Sequence, residues 1–254
     1  MITIKSAAEI QRMEAAGRIV EDTLQLMGRM AEIGVSTDTL NREAEKYIRS
    51  CGAEPSFLWY NGYPKSICTS VNEQVVHGIP GAYRLKDGDI LSVDVGACIN
   101  GFHGDAARTF LIGNVPEEVQ ALVRVTRECF FEGLRYAKLG CRLGDIGAAI
   151  QGHAESHGYG VVREMIGHGI GRHMHEEPDV PNYGRSGHGV RLEAGMAIAI
   201  EPMINLGGAR ILQQSDGWTV VAADGKPSAH YENTVVITDG EPMLTTLHGE
   251  ADAI

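Results

Sequence analysis

Asp94, Asp105, His168, Glu201 and Glu232 are four carboxylates and one imidazole, each in or beside an apolar or glycine-rich stretch. Asp94 follows Ile90-Leu91-Ser92-Val93, Glu201 ends Ala197-Ile198-Ala199-Ile200, and Glu232 precedes Val235-Val236-Ile237, so each acid is expected to point from a strand toward the interior. Lone buried carboxylates are costly, and several that converge need a cation to hold them. Four acids with one histidine form an oxygen-rich, mixed donor set suited to a pair of divalent transition ions.

His168 sits in Gly167-His168-Gly169-Ile170-Gly171, where glycines let the backbone approach a site closely and turn sharply. Taken singly, these signals are weak: an Asp at a strand end is commonly a turn or cap, and a Glu before Pro commonly just ends a strand. Their joint occurrence carries the reading. His103, His153, His157, His173, His188, His230 and His248 lack such context and are read as surface residues or as neighbours of the ligands.

Two local patterns position the acids. Asn100-Gly101 between alternating runs is a strong hairpin signal. With these as the loop residues, Ile99 faces Phe102, Gly96 faces Asp105 and Asp94 faces Ala107. Asp94 and Asp105 then become diagonal neighbours on one sheet face, within reach of two ions roughly 4 Å apart. A faint repeat aligns Leu85-x-x-Gly88-x-x-Leu91-x-Val93-Asp94 with Leu192-x-x-Gly195-x-x-Ile198-x-Ile200-Glu201 and implies two similar halves, each sending a carboxylate to a shared centre.

The remaining elements must hold that arrangement. Ser6-Ala7-Ala8-Glu9 has the form of a capping box, and apolar spacing predicts a helix over 6–32. A second helix should start near Ser36 or Thr37 and stop near Gly52; a third runs from Pro116 toward a cap at Gly140, and a fourth from about Leu143 to His157. Strand-like runs fall near 66–77, 90–112, 161–166, 196–206, 209–223 and 229–238, which makes the class α+β.

Composition narrows the function. The chain has 254 residues, 43% of them hydrophobic, and no linker-like tract, so one unit over 1–254 is expected. A formal net charge of -11 argues against nucleic acid as the main ligand, and Arg163, Arg172, Arg185 and Arg191 are only loosely grouped among acids. No leader pattern and no apolar run of membrane-spanning length stand out, so a cytoplasmic protein without membrane contact is expected. Cys51, Cys68, Cys98, Cys129 and Cys141 are scattered and read as reduced thiols.

At this point the chain resembles the bacterial, type I methionine aminopeptidases of the pita-bread metallopeptidase family. The resemblance rests on Gly62-Tyr63-Pro64-Lys65-Ser66, Val76-His77-Gly78-Ile79-Pro80, Asp94 through Gly101-Phe102-His103-Gly104-Asp105, the glycine-rich stretch around His168 with His175-Glu176-Glu177-Pro178, Glu201-Pro202-Met203 and Asp216-Gly217-Trp218. It implies pseudo-twofold halves around a curved antiparallel sheet. It also implies a dinuclear site in which Asp105 and Glu232 bridge, Asp94 chelates one ion, and His168 and Glu201 hold the other. The metals would be manganese, iron, cobalt or zinc.

The implied reaction is removal of an N-terminal methionine from nascent proteins and peptides when the second residue is small, by attack of dimetal-activated water on the first peptide bond. Glu201 is implied as proton acceptor as well as ligand, His175 as oxyanion stabiliser and His77 as a contact to the peptide nitrogen. Tyr60, Tyr63, Cys68 and Trp218 match family positions around the methionine side chain. Phe57 stands where well-known bacterial members have Cys, and Met174 where Phe is usual; both are apolar, so methionine preference is expected to survive. A co-translational substrate is compatible with a transient ribosome contact, and a monomer is expected. The rival readings are a prolidase or aminopeptidase P, which usually carry a further N-terminal domain, and a metal-free pita-bread binding module, which should lack ligands present here.

Overall fold

A computed structural model describes residues 1–248, so the end of the unit expected over 1–254 lies outside the described residues. Among the described residues, apolar spacing produces four α-helices: α1 (Ala7–Met30), α2 (Thr37–Ser50), α3 (Glu117–Leu134) and α4 (Leu143–Ser156). Their starts follow local chemistry. The Ser6 N–H donates to the Glu9 carboxylate at 3.0 Å, and Ser36 Oγ accepts from the Thr39 N–H at 3.1 Å. The expected end of α3 needs correction: Gly140, at φ 87, gives its N–H to the Leu192 carbonyl at 3.0 Å instead of capping the helix.

Among the described residues nine strands form the main sheet. In spatial order they are Glu54–Pro55, Ile90–Ile99, Phe102–Leu111, Glu232–Val236, Ala197–Ile200, Gly167–Gly169 and Glu176–Val180, with Cys68–Val71 beside Ile90–Ile99 and Met243–Leu244 beside Glu232–Val236. The pairings are antiparallel. The hairpin register is as expected: Ile99 opposes Phe102, Gly96 opposes Asp105 and Asp94 opposes Ala107.

The run expected at 196–206 breaks at Glu201-Pro202, where proline brings no N–H to a ladder. Ala197–Ile200 stays in the main sheet, while Met203–Asn205 joins Ser228–His230 and Gly160–Val161 in a separate one. The 229–238 run divides likewise, and that at 161–166 is strand only at its start. Glu54–Pro55, Glu176–Val180 and Met243–Leu244 were too short or too polar for alternation to reveal.

The faint repeat is structural. Leu85 and Leu192 are both buried, and Gly88 and Gly195 turn at φ 91 and φ 89. The Gly88 N–H donates to the Ile112 carbonyl at 2.9 Å and the Gly195 N–H to the Ile237 carbonyl at 2.8 Å, equivalent bonds in the two copies. Val20, Leu24, Leu40 and Ile48 of α1 and α2 pack with Leu91 and Val93, whereas Phe130, Ile146 and Ile150 of α3 and α4 pack with Ile198 and Ile200. Each helix pair thus buries one half of the sheet and leaves the acids at the join between halves. No helix among the described residues is long and apolar enough to cross a membrane.

Candidate metal centre

Asp94 and Asp105 project from the hairpin, Glu232 from the start of its strand beside Ala107, Glu201 from the end of Ala197–Ile200, and His168 from Gly167–Gly169. Strand alternation aims all five at one side of the sheet. They line a cavity of about 240 Å³ together with Phe57, Tyr60, Tyr63, Cys68, His77, Met174, His175 and Trp218. The five candidate ligands and the eight residues expected around the substrate therefore line one cavity. The further lining residue is Asn61, in a left-handed turn at φ 50.

At the floor, His168 Nε2 lies 3.6 Å from Asp105 Oδ2 and 3.6 Å from Glu201 Oε1. Its Nδ1 lies 2.8 Å from the Gly169 carbonyl, which can only accept. Nδ1 therefore carries the hydrogen, and Nε2 presents its lone pair to the cavity. Asp94 Oδ1, Asp105 Oδ1 and Glu232 Oε1 are buried without a hydrogen-bond partner. Orphaned buried carboxylate oxygens are expensive and are the natural complement of a cation.

The electrostatics agree. Burial pushes Asp94 up to about 7. Asp105, Glu201 and Glu232 are driven well above the usual carboxylate range, first by burial and then by the charge of neighbouring acids, Asp94 among them in each case. Burial holds His168 down to about 3, so its imidazole is neutral. Two compact donor groups emerge, Asp105 with His168 and Glu232, and Asp94 with His230 and Glu232, each with ligand atoms within 4.8 Å of one another. They share Glu232. Residues and spacing fit a pair of divalent cations.

His230, read from the sequence as a surface residue or a neighbour of the ligands, proves to be the latter. It is 2% exposed, and its Nε2 points between Glu232 Oε2 at 3.6 Å and Glu201 Oε2 at 4.0 Å. Spacing held a signal, because residues two apart share a strand face and His230 precedes Glu232 by two. Arg108 braces the same segment, donating to the Glu232 carbonyl at 2.6 Å and to Asn233 Oδ1 at 2.8 Å.

Above the floor the wall divides by chemistry. His175 stacks on Tyr60, lies 4.1 Å ring to ring from His168, and places Nδ1 2.9 Å from the Tyr60 hydroxyl. Partial burial lowers the proton affinity of His175; His77 is lowered by burial and then by His175. Phe57, Tyr63, Cys68 and Met174 are buried and pack together, and Trp218 meets Tyr63 edge-on at 5.1 Å. An apolar, sulfur-lined recess thus adjoins an acidic floor.

An antiparallel two-halved fold with a metal-binding donor set beneath an apolar recess defines a metal-dependent hydrolase. The model of metallopeptidase family M24 matches residues 11–239. A methionine aminopeptidase of Clostridium perfringens is 53% identical over 247 residues, covering 97% of this chain and 99% of that protein. The crystal structure of methionine aminopeptidase from Thermotoga maritima superposes with a TM-score of 0.96 at 42% identity, covering 98% of this chain and all of the other. A prolidase from Pyrococcus furiosus shares the fold, with a TM-score of 0.78 at 22% identity, this chain spanning 66% of its length. The chain belongs to metallopeptidase family M24 and, within it, to the methionine aminopeptidases.

Proposed function

We infer that the chain is a dinuclear exopeptidase that removes the N-terminal methionine of peptides and nascent proteins whose second residue is small. The observation that carries this is the junction of the five-donor floor with an apolar recess in one cavity of about 240 Å³. Asp94, Asp105, His168, Glu201 and Glu232 would hold two divalent cations, and Glu232 is common to both compact donor groups. Such ions supply a nucleophilic water near neutral pH and polarise the scissile carbonyl.

The chain's own residues do the rest. Phe57, Tyr63, Cys68, Met174 and Trp218 receive the methionine side chain, whose thioether gains from contact with ring edges. The acidic floor favours the free, cationic α-amino group, which restricts cleavage to the first peptide bond. Glu201 accepts the proton of the attacking water. With the Tyr60 hydroxyl, 2.9 Å away, as donor to His175 Nδ1, the Nε2–H of His175 would be free to donate to the developing oxyanion. His77, neutral and beside Trp218, contacts the peptide nitrogen. A monomer acting in the cytoplasm, in transient contact with the ribosome exit, fits this substrate.

The test is hydrolysis of Met-Ala-Ser against Met-Pro and Ala-Pro peptides after reconstitution with manganese, iron, cobalt or zinc in turn. Met-Ala-Ser is expected to be cleaved after methionine, with activity rising through two metal equivalents. Preference for the proline peptides would overturn the assignment, and saturation at one equivalent would overturn the dinuclear reading.

A further inference from the structure

A second group of metal-ligating side chains stands on the far helix pair, and none of its members lines the catalytic cavity. His153 lies in the last turn of α4 and His157 just beyond it, four residues apart and so on one face. Their ring centroids are 4.7 Å apart. The neighbouring helix α3, packed on α4 through Val125, Cys129, Phe130, Ile146 and Ile150, brings Glu128 to the same spot. Glu128 Oε2 lies 3.0 Å from His153 Nε2, and each of the three residues has a ligand atom within 4.8 Å of the other two.

The local chemistry prepares this group for a metal. His157 Nδ1 lies 2.9 Å from the His153 carbonyl, which fixes Nδ1 as donor and leaves the lone pair on Nε2. His168 in the catalytic cavity is held by the same kind of bond. Two imidazoles and a carboxylate suit zinc among the available divalent ions and leave a position for water. A metal would replace the hydrogen between His153 Nε2 and Glu128 Oε2, now 3.0 Å apart, and would compete with Arg124, whose Nε is 3.7 Å from Glu128 Oε1 on a side chain 66% exposed. Glu155, on the same turn of α4, is engaged by Gln151 at 2.7 Å. A cation there also faces the negative end of the α4 dipole.

We propose that Glu128, His153 and His157 form a surface zinc site, distinct from the catalytic centre, that ties the C-terminal end of α4 to α3. The probe is Zn²⁺ alone, applied to the enzyme already loaded with its catalytic metal, with His157→Ala and His153→Gln compared to wild type. Because the catalytic ligands are intact in all three, metal analysis after equilibrium dialysis isolates the surface site. Wild type is expected to retain one zinc ion per chain more than either variant at the same free Zn²⁺. Zinc should also raise the Tm of wild type more than that of the variants, since an ion that binds only the folded state stabilises it. Turnover of Met-Ala-Ser without added zinc is expected to be unchanged in His157→Ala, whose side chain is exposed. Equal zinc retention in wild type and variants, or equal Tm shifts, would overturn the site.

Discussion

The hydroxyl of Tyr60 lies 2.9 Å from Nδ1 of His175, and the two rings stack with centroids 5.2 Å apart. Tyr60 thereby holds the plane of the imidazole and, with its hydroxyl as donor, favours the tautomer that carries hydrogen on Nε2. Tyr60→Phe keeps the stack and deletes the bond, so His175 loses its preferred tautomer. The expected result is a fall in kcat of roughly tenfold with KM little changed, against roughly a hundredfold or more for His175→Ala, the range seen when an oxyanion donor is removed. Steady-state kinetics on Met-Ala-Ser check this; an unaltered kcat in Tyr60→Phe would exclude the tautomer role.

The metal-stripped protein should lose stability with rising pH. Asp94 is raised to about 7, with Asp105, Glu201 and Glu232 well above the carboxylate range. Acids with raised folded values contribute full stability below their unfolded values and lose it as pH climbs through the folded ones. His168 and His230 are held down to about 3, so their contribution runs the other way, being lost as pH falls below 6.5 and complete above it. Above 6.5 only the acids still act. The Tm of stripped protein is therefore expected to fall between pH 6.5 and about 8.5, and the gain from added metal to grow, because binding releases protons. A stripped-protein Tm that is flat or rising over that window would contradict the burial argument.

His230 should tune the metal without being needed for the fold. Its Nε2 is buried, without a hydrogen-bond partner, and closest to the carboxylates of Glu232 and Glu201. Groups that orient metal ligands typically change affinity by about 10-fold to 100-fold when removed. His230→Ala is expected to weaken binding of at least one ion by that amount, and His230→Gln, which keeps a polar tip, by less. Competition against a chelator measures the dissociation constants; identical values for wild type and His230→Ala would remove His230 from the site.

What could be read in the sequence follows from where local rules act alone. Asn100-Gly101 fixed the hairpin register, so Asp94 and Asp105 could be set on one face before any tertiary contact was known. Ser6 and Ser36 marked helix starts because capping is decided within a single turn. The end of α3 failed for the opposite reason: Gly140 bonds to Leu192, a partner 52 positions away that no local window includes. Sequence alone reads His230 no further than as a surface residue or a neighbour of the ligands, because its meaning depends on Glu201, brought beside it by the pairing of Glu232–Val236 with Ala197–Ile200. The pocket residues came from family resemblance, since nothing in the spacing of Phe57, Cys68, Met174 and Trp218 announces that they meet.

Gly96 links the hairpin that carries Asp94 and Asp105 to the wall of the recess. It opposes Asp105, and a Cβ there would stand 2.7 Å from Phe57 Cε1 and 2.9 Å from Ser56 Cβ. Backbone cannot easily yield, because the Ser56 N–H donates to the Gly96 carbonyl at 2.9 Å. The Phe57 ring must give instead, and the open volume beside it is the recess. Gly96→Ala is expected to lower stability by about 1–3 kcal/mol, the usual cost of overpacking, and to raise KM for Met-Ala-Ser roughly tenfold, or about 1.4 kcal/mol of binding. Metal stoichiometry should stay at the wild-type value, because no ligand moves onto the other face. Phe57→Leu in the same chain removes the colliding ring atoms and should recover most of the lost KM. A KM that is unchanged in Gly96→Ala, or one that Phe57→Leu fails to restore, would mean that Phe57 does not bound the methionine recess.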